Sequence, residues 1–347
     1  MKKINLLIIT SLSVFLYNCG NTENLFSIAT KDLKQVYKPN ESINLSVENA
    51  ENASIDSVVY YSNNEKLGTA TNNKTLNFKL EKLQFGVQDI KAVVFYEGKN
   101  AECLTSFEIV SNITPKLYET KDYTILNTFK HDTTAYTQGL EFYKGILLEG
   151  TGQNGESTLR KTDYKTGKVS KSVSLSPDYF GEGITVFNGK IYQLTWKNKI
   201  GFIYNAETLV QEKTFNYFAD IEGWGLTHND KHLIMSDGTN KIYFLNPETQ
   251  KMERSINVYS DTNAIAELNE LEWIEGKIWA NIYQKNAVVI INPENGAVEA
   301  VINFADLDAE IENKGKDVLN GIAYNPTTKT VFITGKDWDK MFEIKLK

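Results

Sequence analysis

The chain has 347 residues, an apolar fraction of 41% and a formal net charge of −7. It is long enough for two domains, and its acidity argues against a nucleic-acid partner, which would require clustered lysine and arginine. Short alternating runs of β-branched and aromatic residues predict an all-β protein.

The chain begins with a targeting segment, MKKINLLIITSLSVFLYNCG. Its apolar run is too short and too close to the N-terminus for a typical spanning helix. Leu16 followed by Cys19 resembles the lipobox of bacterial lipoproteins, which predicts a signal peptide over 1–18, a lipidated Cys19 and a polar tether over 19–25. We therefore expect an exported protein held on a membrane by its lipid. Because Gly20 differs from the aspartate of inner-membrane retention signals, the outer membrane is favoured; an ordinary secretory signal is the alternative.

Residues 26–111 contain short strand-like runs separated by turn residues, among them SIDSVVYYS and KAVVFYEG. This pattern predicts a small immunoglobulin-like β-sandwich, and it holds no cluster of catalytic residue types. Cys103 is the only cysteine besides Cys19, so no internal disulfide framework is expected, and we predict a buried structural thiol. The stretch 112–122 contains a proline and is predicted to be a linker.

A unit of about 45 residues repeats from 123 to 347. The related segments are QGLEF, EGITV, WGLTH, NELEW and NGIAY, whose apolar third residues are Leu140, Ile184, Leu226, Leu271 and Ile322. Three further strand-like runs follow in each of the first four units, which is typical of the four-stranded blades of a β-propeller. The fifth unit ends after three strands, and YTILNTFK (123–130) is predicted to supply its fourth strand. The sequence thus predicts a five-bladed β-propeller, closed without an exposed edge.

Equivalent positions of the repeats are expected to form rings, because the first strand of each blade lines the central channel. The residues two before the apolar positions are Gln138, Glu182, Trp224, Asn269 and Asn320. A second ring is predicted where the second strands end, at Trp196, Asp237, Tyr283 and Lys336, with Tyr136 nearby. Together they predict an aromatic-walled pocket with a few convergent polar groups, which is a common form of ligand site.

Several of these motifs resemble the glutamine cyclotransferase family over nearly all of 123–347. The matching segments include HDTTAYTQGL, YFGEGIT, EGWGLTHND, LNELEW, DVLNGIAY and TGKDW. The resemblance implies a five-bladed propeller that converts the N-terminal glutamine of peptides or proteins to pyroglutamate and releases ammonia. The predicted sandwich lies outside the resemblance.

The family pattern implies that Glu182 is the catalytic glutamate, and we expect burial among apolar groups to raise its pKa. Glu182 would act as general acid and base, with Lys336, Asn269 and Gln138 as donors to an oxyanion. The predicted substrate-binding residues are Tyr136, Trp196, Trp224, Tyr283 and Asn320. Tyr283 departs from the family, because plant members have tryptophan there.

We expect no cofactor in catalysis and no catalytic metal, since the three histidines lack zinc-ligand spacing; a structural cation is left open. A monomer is expected. Two other functions remain as alternatives. One is a metal-dependent propeller hydrolase of lactonase type, with Ca²⁺ held by oxygens of Glu182, Asn269, Glu270 and Asn320. The other is a non-catalytic surface lipoprotein that binds peptides or glycans.

Overall fold

The computed structural model describes residues 25–347. The predicted signal peptide, Cys19 and all but the last residue of the tether lie outside the described residues. Strands dominate the described chain, which contains one short α-helix, α1 (Ala305–Ala309); the all-β prediction is confirmed. None of the helices in residues 25–347 has the length and apolar character needed to cross a membrane.

The described chain divides into two compact units. The smaller contains the described residues up to Leu33 together with Asn44–Leu76 and Asp89–Thr105, and the larger contains Lys34–Ile43, Asn77–Gln88 and Ser106–Lys347.

Nine strands precede residue 110. They are β1 (Phe26–Ile28), β2 (Val36–Tyr37), β3 (Ser42–Leu45), β4 (Val47–Asn49), β5 (Ile55–Ser62), β6 (Glu65–Thr71), β7 (Leu76–Lys79), β8 (Gly86–Tyr96) and β9 (Lys99–Ile109). A five-stranded sheet has the order β2-β9-β8-β5-β6, and β1 pairs with β4 and β3 with β7. Cys103 in β9 is half-buried rather than buried as predicted. Burial raises the pKa of its thiol to about 11, which disfavours the reactive thiolate.

The stretch predicted as a linker contains a short strand, β10 (Lys116–Tyr118), and a 3₁₀ turn at Thr120–Asp122. The next strand is β11 (Tyr123–Lys130). Both strands are used as edges of sheets formed by residues much later in the chain.

Five antiparallel sheets follow in chain order. The first sheet contains β12 (Thr137–Tyr143), β13 (Ile146–Thr151), β14 (Thr158–Asp163) and β15 (Lys168–Ser174), and the second contains β16 (Gly181–Phe187), β17 (Lys190–Thr195), β18 (Ile200–Asn205) and β19 (Gln211–Asn216). The third sheet contains β20 (Leu226–His228), β21 (Leu233–Ser236), β22 (Lys241–Leu245) and β23 (Met252–Asn257). The fourth contains β24 (Leu268–Ile274), β25 (Lys277–Ile282), β26 (Ala287–Ile291) and β27 (Val298–Asn303), and the fifth contains β28 (Leu319–Asn325), β29 (Thr330–Gly335) and β30 (Lys340–Leu346).

The two early strands extend the last two sheets. Strand β10 pairs parallel to β27 and makes the fourth sheet five-stranded. Strand β11 pairs antiparallel to β30 and gives the fifth sheet its fourth strand. The predicted contribution of 123–130 to the last sheet is therefore confirmed.

The first strands of the five sheets, here called the inner strands, contact one another in the order β12, β16, β20, β24, β28 and back to β12. Their apolar repeat positions Leu140, Ile184, Leu226, Leu271 and Ile322 are all buried. Apolar side chains fill the space between sheets, with Trp338 and Phe342 in one such cluster. The predicted repeat therefore places equivalent residues of different sheets side by side.

Buried glutamates bridge the inner strands. Glu270 in β24 accepts the backbone N–H of Leu140 in β12 at 3.2 Å and that of Ile322 in β28 at 2.9 Å. Glu272 accepts the N–H of Tyr324 at 2.7 Å. These carboxyl oxygens supply acceptors to buried N–H groups that would otherwise be left unpaired at substantial cost.

Glycines permit the inner strands to approach closely. A Cβ atom at Gly183 would lie 2.5 Å from the backbone nitrogen of Leu226, and one at Gly139 would lie 2.4 Å from the backbone nitrogen of Ile184. Both distances are far shorter than van der Waals contact, so only glycine fits at these two positions.

Candidate active site

Irregular pairing turns four predicted site residues away from the regular ladder. The register between the first and second strands shifts between Thr137 and Gly139, between Gly181 and Ile184, between Leu268 and Leu271, and between Leu319 and Ile322. Gln138, Glu182, Asn269 and Asn320 lie within these four irregularities. The same local distortion thus recurs at the same repeat position in four sheets. Bulges of this kind often redirect side chains next to functional sites.

The second predicted ring lies directly after the second strands. Trp196, Tyr283 and Lys336 each follow the last residue of β17, β25 and β29, respectively. Trp224 lies just before β20. The strands fix the backbone positions of these residues. Because the residues lie just outside the paired segments, their side chains are free to reach the ends of the inner strands.

These two sets of residues enclose a cavity of about 180 Å³. Its wall consists of Tyr136, Gln138, Phe180, Glu182, Trp196, Trp224, Asn269, Tyr283 and Lys336. The volume is below the roughly 300–1,000 Å³ of pockets for drug-sized ligands. A single amino-acid side chain with its adjoining backbone matches that space better than a long ligand does.

Phe180 is the wall residue that the sequence analysis missed. Its ring lies 5.6 Å from that of Trp196 and 6.1 Å from that of Tyr136. A signal was present, because Phe180 precedes Glu182 by two residues as Tyr136 precedes Gln138. The repeat offset that identified one aromatic residue would have identified the other.

Two predicted ring members do not line the cavity. Asn320 is 1% exposed, and its Nδ2 donates to the backbone oxygen of Thr137 at 2.9 Å and to Gln138 Oε1 at 3.1 Å. It therefore lies behind Gln138, which corrects the prediction that it contacts substrate. Asp237 accepts the hydroxyl of Tyr243 at 2.9 Å and is likewise absent from the wall.

Glu182 is the carboxyl group of the cavity. It is 4% exposed, and Gln138 Nε2 donates to its Oε1 at 3.1 Å. Burial raises the pKa of Glu182 well above its usual range; the positive charge of Lys336 opposes this rise and the negative charge of Glu222 adds to it. The expected direction of the pKa shift is confirmed, and its main cause is desolvation.

Lys336 places an ammonium group between two tyrosine rings. Its Nζ lies 4.7 Å from the ring centre of Tyr136 and 5.2 Å from that of Tyr283, distances at which the aromatic faces attract a cation. Burial lowers the pKa of Lys336, while nearby Glu182, Asp317 and Asp337 oppose that shift. Glu182 and Lys336 thus form a buried acid–base pair in which each favours the charged form of the other.

Glu222 holds the two tryptophans, and the sequence analysis missed it. Its Oε2 accepts the indole N–H of Trp196 at 2.6 Å and that of Trp224 at 3.0 Å. One carboxylate therefore orients both indole rings. Glu222 precedes Trp224 by two residues, so the offset that relates Tyr136 to Gln138 also points to it.

Asn269 offers an acceptor to a ligand. Its Oδ1 is buried and has no hydrogen-bond partner within residues 25–347. Asn269 was predicted to act as a donor, but an amide side chain provides both functions. A bound N–H group would satisfy this oxygen, which otherwise remains unpaired at a cost.

Glu270, one of the four oxygen ligands considered for a calcium ion, is already occupied by other parts of the protein. Both oxygens of Glu270 are engaged by backbone N–H groups of the neighbouring inner strands. Among residues 25–347 there is no group of three or more histidine, cysteine, aspartate or glutamate side chains that could hold a metal ion.

Comparison with known proteins gives consistent matches. The family model for glutamine cyclotransferase matches residues 100–346. A curated relative, glutaminyl-peptide cyclotransferase of Arabidopsis thaliana, is 37% identical over 228 residues, which cover 64% of this chain and 71% of the relative. The crystal structure of glutaminyl cyclase from Myxococcus xanthus superposes with a TM-score of 0.61 and 31% identity, covering 67% of this chain and 98% of that chain.

The raised pKa of Glu182 predicts a pH-dependent contribution to stability. Between the pKa of the unfolded glutamate, about 4.3, and the higher folded value, the folded state binds more protons than the unfolded state. The free energy of unfolding should therefore fall as pH rises through this window, by up to about 1.4 kcal/mol per pH unit for one group. Glu182→Gln removes this contribution, and urea unfolding of both proteins from pH 4 to 9 measures the difference.

Glu212→Gln is the matched control, because Glu212 is an exposed strand residue. The control should follow the unsubstituted protein at every pH. Identical pH slopes for Glu182→Gln and the unsubstituted protein would show that folding does not change the pKa of Glu182.

Proposed function

Because the chain belongs to the glutamine cyclotransferase family, we propose that its cavity cyclises a glutamine side chain with Glu182 as general acid and base. The protein is a glutaminyl-peptide cyclotransferase: it converts an N-terminal glutamine to pyroglutamate and releases ammonia. The observation that carries the mechanism is Glu182 itself, a carboxyl group with a raised pKa in an aromatic-walled cavity of one-residue size.

The aromatic wall has the task of folding the substrate. The reaction joins the α-amine of the glutamine to its own side-chain carbonyl carbon, so the side chain must bend back over itself. An extended side chain has little room in the cavity, because its walls are aromatic rings: those of Trp196, Trp224, Phe180, Tyr136 and Tyr283. Holding the two reacting atoms in contact supplies much of the rate enhancement in intramolecular reactions of this kind, with effective molarities of order 10⁵ M or more.

Glu182 moves the proton. As the amine nitrogen bonds to the carbonyl carbon, it loses a proton to the carboxylate of Glu182. The resulting carboxylic acid then gives this proton to the amide nitrogen, the bond between carbon and that nitrogen breaks, and ammonia leaves. The proton count balances without another reactant. A pKa raised toward neutrality suits a group that must accept and donate at the same pH.

Lys336 is the donor best placed for the oxyanion. The carbonyl oxygen gains negative charge while the ring forms, and a preorganised cation in a cavity of low dielectric stabilises such charge strongly. Gln138 uses its Nε2 on Glu182, which leaves it less able to serve as an oxyanion donor. Asn269 Oδ1, an acceptor, suits an N–H of the substrate.

We also infer a domain organisation for the whole chain. The cyclic contacts of the inner strands and the pairing of β11 with β30 support a five-bladed β-propeller over 123–347. The sheets before residue 110 support an immunoglobulin-like sandwich over 26–111, with 112–122 between the two domains. The active form is proposed to be a monomer.

Replacing Glu182 by glutamine should abolish turnover while preserving the fold, because an amide has the shape of the carboxyl group but does not shuttle protons. The expected fall in kcat is about 10²–10⁴-fold, the usual contribution of a positioned acid–base group. Mass spectrometry of a glutamine-initiated peptide measures the reaction as loss of one ammonia.

Glu212→Gln again serves as the control and should retain full activity. A chelator should not affect the unsubstituted enzyme. Pyroglutamate formation at a near-normal rate by Glu182→Gln would refute the acid–base role, and activity lost in chelator would favour a metal-dependent reaction.

Replacing Glu222 by alanine should raise KM about tenfold, because both tryptophans lose the acceptor that orients them; a tenfold change corresponds to about 1.4 kcal/mol. Glu222→Gln keeps an oxygen for the indole N–H groups and should raise KM less. Both variants remove a negative charge that raises the pKa of Glu182. The limb of the kcat–pH profile that reports Glu182 should therefore move to lower pH in both, and unchanged KM values would exclude the orienting role.

The protein is proposed to be exported and lipid-anchored through Cys19, with the outer membrane favoured by Gly20. A Cys19→Ser variant should be recovered from the soluble fraction of the cell envelope, while the unsubstituted protein fractionates with membranes. Equal membrane recovery of the two proteins would refute the lipid anchor.

A further inference from the structure

Three side chains from different sheets form a continuous chain of hydrogen bonds that ends on the proposed acid–base group. Asn320 in β28 donates to Gln138 in β12 at 3.1 Å, and Gln138 donates to Glu182 in β16 at 3.1 Å. All three residues are at most 4% exposed, so water has little access to these groups.

The backbone fixes the direction of this chain. The oxygen of Thr137 lies 2.9 Å from one terminal atom of the Asn320 amide. A carbonyl oxygen only accepts, so that terminal atom must be the donor, Nδ2. The same Nδ2 reaches Gln138, which requires the facing atom of Gln138 to be the acceptor Oε1. The other terminal atom of Gln138 is then the donor Nε2, and it faces Glu182.

This orientation distinguishes the two oxygens of Glu182. Oε1 receives the N–H of Gln138 and must act as an acceptor in every protonation state. A carbonyl oxygen is a better acceptor than a hydroxyl oxygen, so this hydrogen bond favours the proton on Oε2. We propose that Asn320 is a positioning residue that fixes, through Gln138, Oε2 of Glu182 as the oxygen that exchanges the proton with substrate. This inference rests on the proposed acid–base role of Glu182.

The alternative is that Asn320 merely satisfies buried polar atoms, and its own environment argues against this. Asn320 Oδ1 is buried without a partner in the described part of the chain. This acceptor has no protein donor, which costs stability for a buried polar atom, while both N–H bonds of the same amide are directed to Thr137 and Gln138. A small apolar residue would avoid that cost but would leave the orientation of Gln138 free.

The proton path is then specific at the level of atoms. The substrate amine releases its proton to Oε2 as the carbon–nitrogen bond of the ring forms. Oε2 returns that proton to the departing amide nitrogen as the old carbon–nitrogen bond breaks. Throughout, Oε1 keeps the hydrogen bond from Gln138, so the carboxyl group does not need to rotate between the two transfers.

Asn320→Asp tests the proposal with almost no change in shape. An aspartate lacks the two N–H bonds, so Gln138 is expected to reverse and turn its Oε1 toward Glu182. That arrangement favours a proton on Oε1 of Glu182, the wrong oxygen. We expect kcat to fall by about 10²-fold, the lower end of the acid–base contribution, with KM changed less than about threefold, because the aromatic residues of the cavity wall are unchanged and Gln138 keeps its size and position.

A double-substitution cycle separates positioning from general destabilisation, since residues that act through one another show non-additive effects. In a Gln138→Leu background, where no amide remains to be oriented, Asn320→Asp should lower kcat by less than about threefold. An equal loss in both backgrounds, or a loss confined to KM, would overturn the proposal. If Asn320→Asp does not fold, Asn320→Leu removes the same donors without adding a charge, and the same cycle applies to it.

Asn281→Asp is the matched control. Asn281 in β25 is also fully buried, its Oδ1 accepts the N–H of Gly321 at 3.0 Å, and its Nδ2 has no partner within residues 25–347. Aspartate keeps the acceptor and removes no hydrogen bond, so kcat should be retained. A loss of kcat equal to that of Asn320→Asp would mean that any buried carboxylate near the axis has this effect, and the proposal would fail. An unsubstituted enzyme that forms no pyroglutamate would instead refute the proposed function.

Discussion

The close approach of the inner strands is the constraint on which the site depends. Gly183 donates its N–H to the backbone oxygen of Trp224 at 2.8 Å, and a side chain there would collide with the next strand. Because this N–H is used between sheets, the regular ladder with β17 is interrupted at the same place. Glu182, which lies inside the interruption, is thereby directed into the cavity. The need for glycine at position 183, the interrupted pairing with β17 and the direction of the Glu182 side chain therefore all follow from the close contact between β16 and the segment before β20.

Burial alone does not make a glutamate reactive, as comparison of Glu182 with Glu270 shows. Desolvation raises the pKa of both carboxyl groups. Glu270, however, has a backbone N–H on each oxygen, so it is held in place and has no atom free for substrate. Glu182 receives one hydrogen bond from a neutral amide, on Oε1, and lines the cavity. The distribution of donors therefore separates a structural carboxyl group, Glu270, from the one proposed to be catalytic, Glu182.

The repeat was sufficient to predict most of the fold and of the cavity wall. Equivalent offsets identified Gln138, Glu182, Trp224 and Asn269, because side chains at one repeat position occupy one level of the ring. The same offsets predicted that Asn320 lines the cavity, whereas it lies behind Gln138. A repeat predicts the height of a residue along the central axis, but it does not predict which of two neighbouring side chains lies between the other and the cavity. Glu222 was missed because it binds the indole N–H groups of the tryptophans and does not itself line the cavity. Strand β10 was missed because its pairing partner lies about 180 residues later.

The hydrogen-bond chain from Asn320 to Glu182 crosses the point where the first and last sheets meet. Asn320 belongs to the fifth sheet, Gln138 to the first and Glu182 to the second. The fifth sheet is completed by β11, which directly precedes the first sheet in sequence and pairs with the last strand of the chain. The position of the Glu182 carboxyl group, the proposed acid–base group, thus depends on the contact between β28 and β12, which closes the circle of inner strands. A shift of β28 relative to β12 would first change the distance between Asn320 and Gln138, and only then the surroundings of Glu182. Pairing of β11 with β30 consequently supports the chemistry as well as the fold, although neither strand contributes a residue to the cavity wall.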